Sequence, residues 1–131
     1  RIAVGFKLTV AAGAGMIQNA TDADQVFFGY SDDGDYVASA VNWVAVVRIA
    51  GASANVDTTV AVVANTNYRA VIDVDAGGLA RFYINGILRA TSAALTAAAA
   101  LIPFAAVQTL AAAAAAKSLV VQRLACSRVL A

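Results

Sequence analysis

Histidine and glutamate are both missing from this chain, and cysteine, proline, methionine and tryptophan occur once each. The commonest general base and the commonest metal ligand are therefore gone, together with every acid/base pair built on glutamate. Composition points away from an enzyme and offers no cofactor site. The single Cys126 closes no internal disulfide, so a small stapled secreted scaffold is excluded. A reactive thiolate needs a His or a cationic neighbour; in its strand-like run Cys126 reads instead as a small buried apolar residue.

Charge is scarce as well. Only 13% of residues are Asp, Glu, Lys or Arg, against about 25% in an average soluble domain. Nine basic residues and eight acids, all aspartate, leave a net charge of +1. The basic residues stand singly along the chain, so no face gathers enough of them to neutralise several phosphates, and no nucleic-acid partner is expected.

What remains is apolar: 61% hydrophobic residues, mean hydropathy +0.74, and alanine at about a quarter of all positions. A length of 131 residues suits one domain spanning 1–131. No charge occurs between Arg89 and Lys117, a run long enough to cross about 30 Å of hydrocarbon as a helix. Its alanines, Pro103, Gln108 and three threonines, with no aromatic belt or basic flank, argue against a membrane span. The first apolar residues alternate, which is not the continuous core of a secretory leader.

That alternation runs through most of the chain. Ile2, Val4, Phe6, Leu8 and Val10 alternate with smaller or polar residues, the pattern of a half-buried strand. Further strands are expected over Gln25–Tyr30, Val37–Ile49, Val56–Ala64, Asn67–Asp75, Leu79–Ile84, Ile87–Thr91, Leu101–Leu110 and Ser118–Val129, with a short helix at 111–116. Along Val37–Ile49, Val41, Trp43, Ala45, Val47 and Ile49 share one face, which makes Trp43 a core residue. In Ser118–Val129 the more apolar set is Val120, Gln122, Leu124, Cys126 and Arg128, expected to face inward. Asp75-Ala76-Gly77-Gly78 reads as a turn. Asn85-Gly86 is the strongest local signal, because both central residues of a type I′ hairpin need positive φ. Three strands flanking these two turns predict an antiparallel meander. The whole predicts an all-β sandwich or barrel.

The stretch Asn67-Tyr68-Arg69-Ala70-Val71-Ile72-Asp73-Val74-Asp75, followed by Ala80-Arg81-Phe82-Tyr83-Ile84-Asn85-Gly86, resembles concanavalin A-like lectin/laminin-G-like β-sandwich modules. There a Tyr-x-hydrophobic-x-Ile-Asp strand commonly precedes a Phe-Tyr-x-Asn-Gly hairpin. Leu101-Ile102-Pro103-Phe104 and Lys117-Ser118-Leu119-Val120-Val121 look like the version found in tailed-bacteriophage virion structural proteins. The resemblance covers about the C-terminal half. It implies a jelly-roll antiparallel β-sandwich with its N- and C-terminal strands near each other. Laminarinase-like enzymes on this fold use a Glu-x-Asp-x-Glu strand, which a chain without glutamate cannot supply.

Two clusters are candidate sites. Asp22, Asp24, Asp32, Asp33 and Asp35 form the one acidic grouping, and Asp32, Asp33 and Asp35 are a weak candidate for Ca²⁺, which takes six to eight oxygens. Their spacing does not fit an EF-hand, and Asp and Gly are ordinary turn residues, so a solvated turn is preferred. Tyr30 and Tyr36 flank this loop. With Asp32, Asp33 and Asp35 they form a possible exposed binding rim for a glycan or a protein. Tyr83 is a further aromatic able to stack on a sugar. Asp73 and Asp75 are expected to meet Arg69 or Arg81 on a solvent face.

So few charges leave apolar residues to cover much of the exterior, which marks partner surfaces. Residues and resemblance together predict a non-enzymatic structural protein on the surface of a tailed-phage virion. It would act as a capsid decoration (cement) protein or as a head or tail fibre module. Its expected partners are the major capsid protein or another virion protein, and further copies of itself in a homo-oligomer. Two alternatives stand: a lectin-like carbohydrate-binding module for host recognition, and an unrelated β-barrel interaction protein.

Overall fold

The computed structural model describes residues 1–7, 23–31, 36, 38–96, 101–108, 118–123 and 125. Among them the regular structure is all β: β1 (Ile2–Lys7), β2 (Gln25–Tyr30), β3 (Asn42–Ile49), β4 (Ala52–Ser53), β5 (Val56–Ala61), β6 (Ala70–Val74), β7 (Leu79–Ile84), β8 (Ile87–Ala94) and β9 (Ile102–Val107). Every strand pairing is antiparallel.

The strands form two sheets. The larger runs β4-β3-β2-β1-β9, with β5 continuing along the β4 edge of β3; the smaller runs β6-β7-β8. Most sequential strands lie side by side, and in the smaller sheet short turns at 75–78 and 85–86 join them. The first strand closes on the last one described. Ile2 pairs with Val107, and the terminal ammonium of Arg1 donates to the Gln108 carbonyl at 2.7 Å.

One apolar core lies between the sheets. Ile2, Val26, Phe28, Trp43, Ala45 and Val47 of the larger sheet meet Ala80, Phe82, Ile84 and Ala90 of the smaller, with Leu95. Phe28 and Phe82 touch edge to face across it, their centroids 5.3 Å apart. Trp43 is buried here, as its strand parity requires.

A second cluster covers the other face of the larger sheet: Ala3, Phe27, Tyr36, Val44, Val46, Phe104 and Ala106. Phe27 holds its centre, edge to face with Tyr36 at 5.9 Å and with Phe104 at 5.4 Å. The central strands β2 and β3 therefore bury both parities of side chain. Their apolar runs Val26-Phe27-Phe28 and Trp43–Val47 are the sequence consequence of that double burial. Reading β3 as one apolar face opposed by Asn42 and Arg48 missed Val44 and Val46.

Two hairpins stand as expected. Asn85 (φ 53°) and Gly86 (φ 82°) join β7 to β8, and the Asn85 amide oxygen accepts the Arg69 N–H at 2.9 Å. The 75–78 turn joins β6 to β7, with Gly78 N donating to the Asp75 carbonyl at 2.9 Å. The register of β8 slips twice against β7. At the second slip Ser92 Oγ accepts the Ala80 N–H at 2.9 Å, so a side chain replaces the lost ladder bond.

The clearest differences from expectation lie in three segments. The strand predicted from Val37 begins at Asn42. Ser39 Oγ accepts the N–H groups of Val41 and Asn42, so this backbone turns instead of extending, and Val41 is 65% exposed rather than in line with Trp43. The strand predicted over Val56–Ala64 stops at Ala61, where Tyr68 Oη donates to the Ala61 carbonyl and accepts the Val63 N–H, each at 2.8 Å. Ser118–Val129 was expected to be a strand, but its described residues, 118–123 and 125, form none. Here Leu119 packs against the core while Val120 is 81% exposed, the reverse of the predicted parity. Alternation alone makes no strand without a neighbour to pair with. Residues 8–10 of the first predicted strand, the 111–116 helix and Cys126 lie outside the described residues.

Candidate functional site

Two residues of the predicted rim, Tyr30 and Tyr36, lie among the described residues, and neither is exposed. Tyr36 is fully buried, which corrects its placement on a binding edge. The cause is local. Gly29, on β2, has no side chain, and a Cβ there would lie 2.7 Å from the Tyr36 ring, so the phenol fills the space that glycine leaves. Asn55 Nδ2 then donates to the Tyr36 carbonyl at 2.9 Å, while Asn55 Oδ1 accepts the Val47 N–H at 3.2 Å. These bonds tie the segment to the larger sheet. A glycine inside a strand marks a close approach, and Gly29 was the available signal.

Tyr30 is half-buried and joins an aromatic group, its ring 6.4 Å from Trp43, which lies 5.7 Å from Tyr68. Both contacts are edge to face. These rings pack against each other and against the core. Asp22, Asp32, Asp33 and Asp35 lie outside the described residues. Among the described residues no group of three or more His, Cys, Asp or Glu side chains is placed to hold a metal ion.

The remaining aspartates have structural geometry. Asp24 is fully buried and is a clamp between distant segments: its carboxylate accepts the Ala50 N–H at 3.1 Å and the Thr96 hydroxyl at 2.9 and 3.0 Å. Asp75 organises the 75–78 turn, with Oδ1 accepting the Gly77 and Leu79 N–H groups at 3.0 Å each. Its Oδ2 pairs with Arg81 at 3.1 Å. The Leu79 N–H, followed by Arg81 and the Gly77 N–H, holds the Asp75 carboxyl below the usual aspartate value despite an opposing desolvation effect. Of the two basic partners anticipated for Asp73 and Asp75, Arg81 is the one present; it lies 3.8 Å from Asp73.

The surface that stands out is the outer face of the smaller sheet. Register pairs Val71 with Tyr83 and Tyr83 with Leu88, and their parity is opposite to that of the core residues Ile72, Phe82 and Ala90. They form an apolar row across three strands, with Val71 39% and Leu88 49% exposed. Below it lies a polar row, Asp73–Arg81–Thr91. Sequence reading passed over Val71 because it is the one apolar residue in the polar parity of its strand. That anomaly was the signal.

A second feature is a cleft of about 130 Å³ where the larger sheet extends past β6. Val4, Phe6, Phe28, Ile72 and Pro103 line it, and it offers no charged group. The uncharged run between Arg89 and Lys117 contributes parts of two strands, β8 and β9. No helix among the described residues is long and apolar enough to cross a membrane. The fold and surface thus define an all-β module of two antiparallel sheets. No family model, curated protein or solved structure matches the chain.

Proposed function

We propose that this chain is a non-enzymatic structural component of a tailed-phage particle, a capsid decoration or head or tail fibre module. Its finer class would be a concanavalin A-like jelly roll, a reading supported by the Tyr68–Asp73 segment, the Phe82–Gly86 hairpin and the pairing of β1 with β9. One observation carries the functional reading. The outer face of the larger sheet is covered by the chain itself, while the outer face of the smaller sheet bears an apolar row with nothing over it among the described residues. Each 100 Å² of apolar surface covered by a neighbour contributes about 2.5 kcal/mol before association costs. Repetition around a shell multiplies that small term.

The test is size-exclusion with light scattering, with and without purified tailed-phage capsids, beside a glycan array. Comigration with capsids and a silent array support the reading. Specific sugar binding without capsid binding overturns it in favour of a lectin-like module, the reading that lost Tyr36 from its rim.

A further inference from the structure

We propose that the outer face of the smaller sheet binds a second copy of this chain, face to face, about a two-fold axis running along the row Val71–Tyr83–Leu88. The proposal rests on the assembly reading above and names the surface and the partner. On β6 and the residue before it, Arg69, Val71 and Asp73 share the outward parity, since Tyr68, Ile72 and Val74 pack into the core. The ladder extends to Arg69, because Asn85 N donates to its carbonyl at 2.9 Å. A cation and an anion therefore flank Val71, each about 6.7 Å along the strand.

A two-fold axis along the apolar row lays Val71, Tyr83 and Leu88 over their own counterparts and exchanges the two sides. Arg69 then faces Asp73 of the second copy, and Asp73 faces its Arg69. Arg81 comes over the neutral Asn85, so no two like charges of β6 and β7 meet. This self-complementarity is what an isologous interface requires. Both charges are available. Arg69 forms no ion pair among the described residues, and Asp73, 60% exposed, has only the 3.8 Å contact with Arg81.

The free edge of β6 is the competing route, and the topology blocks it. The smaller sheet sits with β6 over β2, so the larger sheet continues past that edge by β1 and β9. Two copies joined edge to edge would drive these overhangs into one another.

Three strands spaced about 4.8 Å apart, five residues long at about 3.4 Å each, give a face of about 240 Å². A stable dimer needs about 800 Å² per partner, so this pairing is weak alone and shows itself at high concentration. Sedimentation equilibrium from about 10 μM to about 1 mM is the measurement, with circular dichroism to check the fold of each variant. The expected result is a monomer–dimer equilibrium that Leu88→Asp abolishes. Arg69→Asp and Asp73→Arg each weaken it about fivefold, and the doubly swapped variant restores it. Should Asp73→Arg unfold the chain beside Arg81, Arg69→Gln and Asp73→Asn replace the swap, with non-additive losses expected.

A monomer at every concentration overturns the proposal. So does a dimer indifferent to Leu88→Asp, or losses from the two charge changes that simply add. The capsid experiment separates this outcome from the broader reading. A monomer that still binds capsids sinks the dimer alone, and a dimer that binds none sinks the virion assignment alone.

Discussion

The two sheets of this molecule are buried differently. In the larger, β2 buries five consecutive residues, Gln25–Gly29, because one parity meets the smaller sheet and the other meets Tyr36, Phe104 and Ala106. In the smaller, β7 alternates strictly: Ala80, Phe82 and Ile84 are buried, while Leu79, Arg81 and Tyr83 are half-exposed. The central strands of the larger sheet, β2 and β3, form an internal layer. The smaller is a lid with one wet face, and that face carries an apolar row. Exposed apolar residues also occur elsewhere, Val41 and Val120 among them, but on the smaller sheet they line up across three strands, and a row of that kind points to a docking surface.

Several substitutions break or sharpen this contrast. The largest effect is expected at Gly5, where an added Cβ would lie 2.4 Å from the Phe27 Cα and 2.5 Å from the Val26 carbonyl oxygen. Those are backbone atoms that cannot swing aside. Gly5→Ala should cost more than about 3 kcal/mol or prevent folding, read from urea denaturation followed by circular dichroism.

Phe27→Ala comes next, at about 3–5 kcal/mol if the outer face of the larger sheet is a true core. Leu88→Ala on the bare face of the smaller sheet should stay within about 0.5 kcal/mol in the monomer. Similar costs at the two positions would erase the distinction between the sheets.

Asp24→Ala should cost about 2–3 kcal/mol, because it removes the hydrogen bonds that the Ala50 N–H and the Thr96 hydroxyl make to a charged carboxylate. Hydrogen exchange at Ala50 should accelerate with it. Asn85→Val should cost about 1–2 kcal/mol, since a β-branched residue resists the positive φ that the hairpin imposes.

The smallest effect is a pH dependence in the smaller sheet. The folded Asp75 carboxyl titrates below its unfolded value. Its stabilisation is therefore fully present above the ordinary aspartate pKa of about 4 and is lost as pH falls through the lowered folded value. Asp75→Asn should be less stable than wild type at neutral pH, and its melting temperature should fall less steeply on acidification. Parallel acid limbs for the two proteins would remove Asp75 from the account.

Much of the fold was legible because it rests on local rules. Asn85-Gly86 announced its hairpin through backbone sterics, the 75–78 turn through Asp and Gly chemistry, and Phe82 and Ile84 their burial through period two. The misses share a cause. Tyr36 looked like a loop aromatic beside aspartates, and only the space over Gly29 makes it a core residue. Val44 and Val46 sat in the parity assigned to solvent, and the described residues of Ser118–Val129 alternate without forming a strand. Each depends on what a distant segment places opposite, and alternation carries no record of that.

Strand periodicity and turn residues were enough by themselves to specify an all-β chain, because steric limits act residue by residue. Which face of each sheet is covered was decided only in three dimensions. Burial is a relation between segments, and the meeting of Gly29 with Tyr36, or of Phe27 with Phe104, exists only once the chain has brought them together.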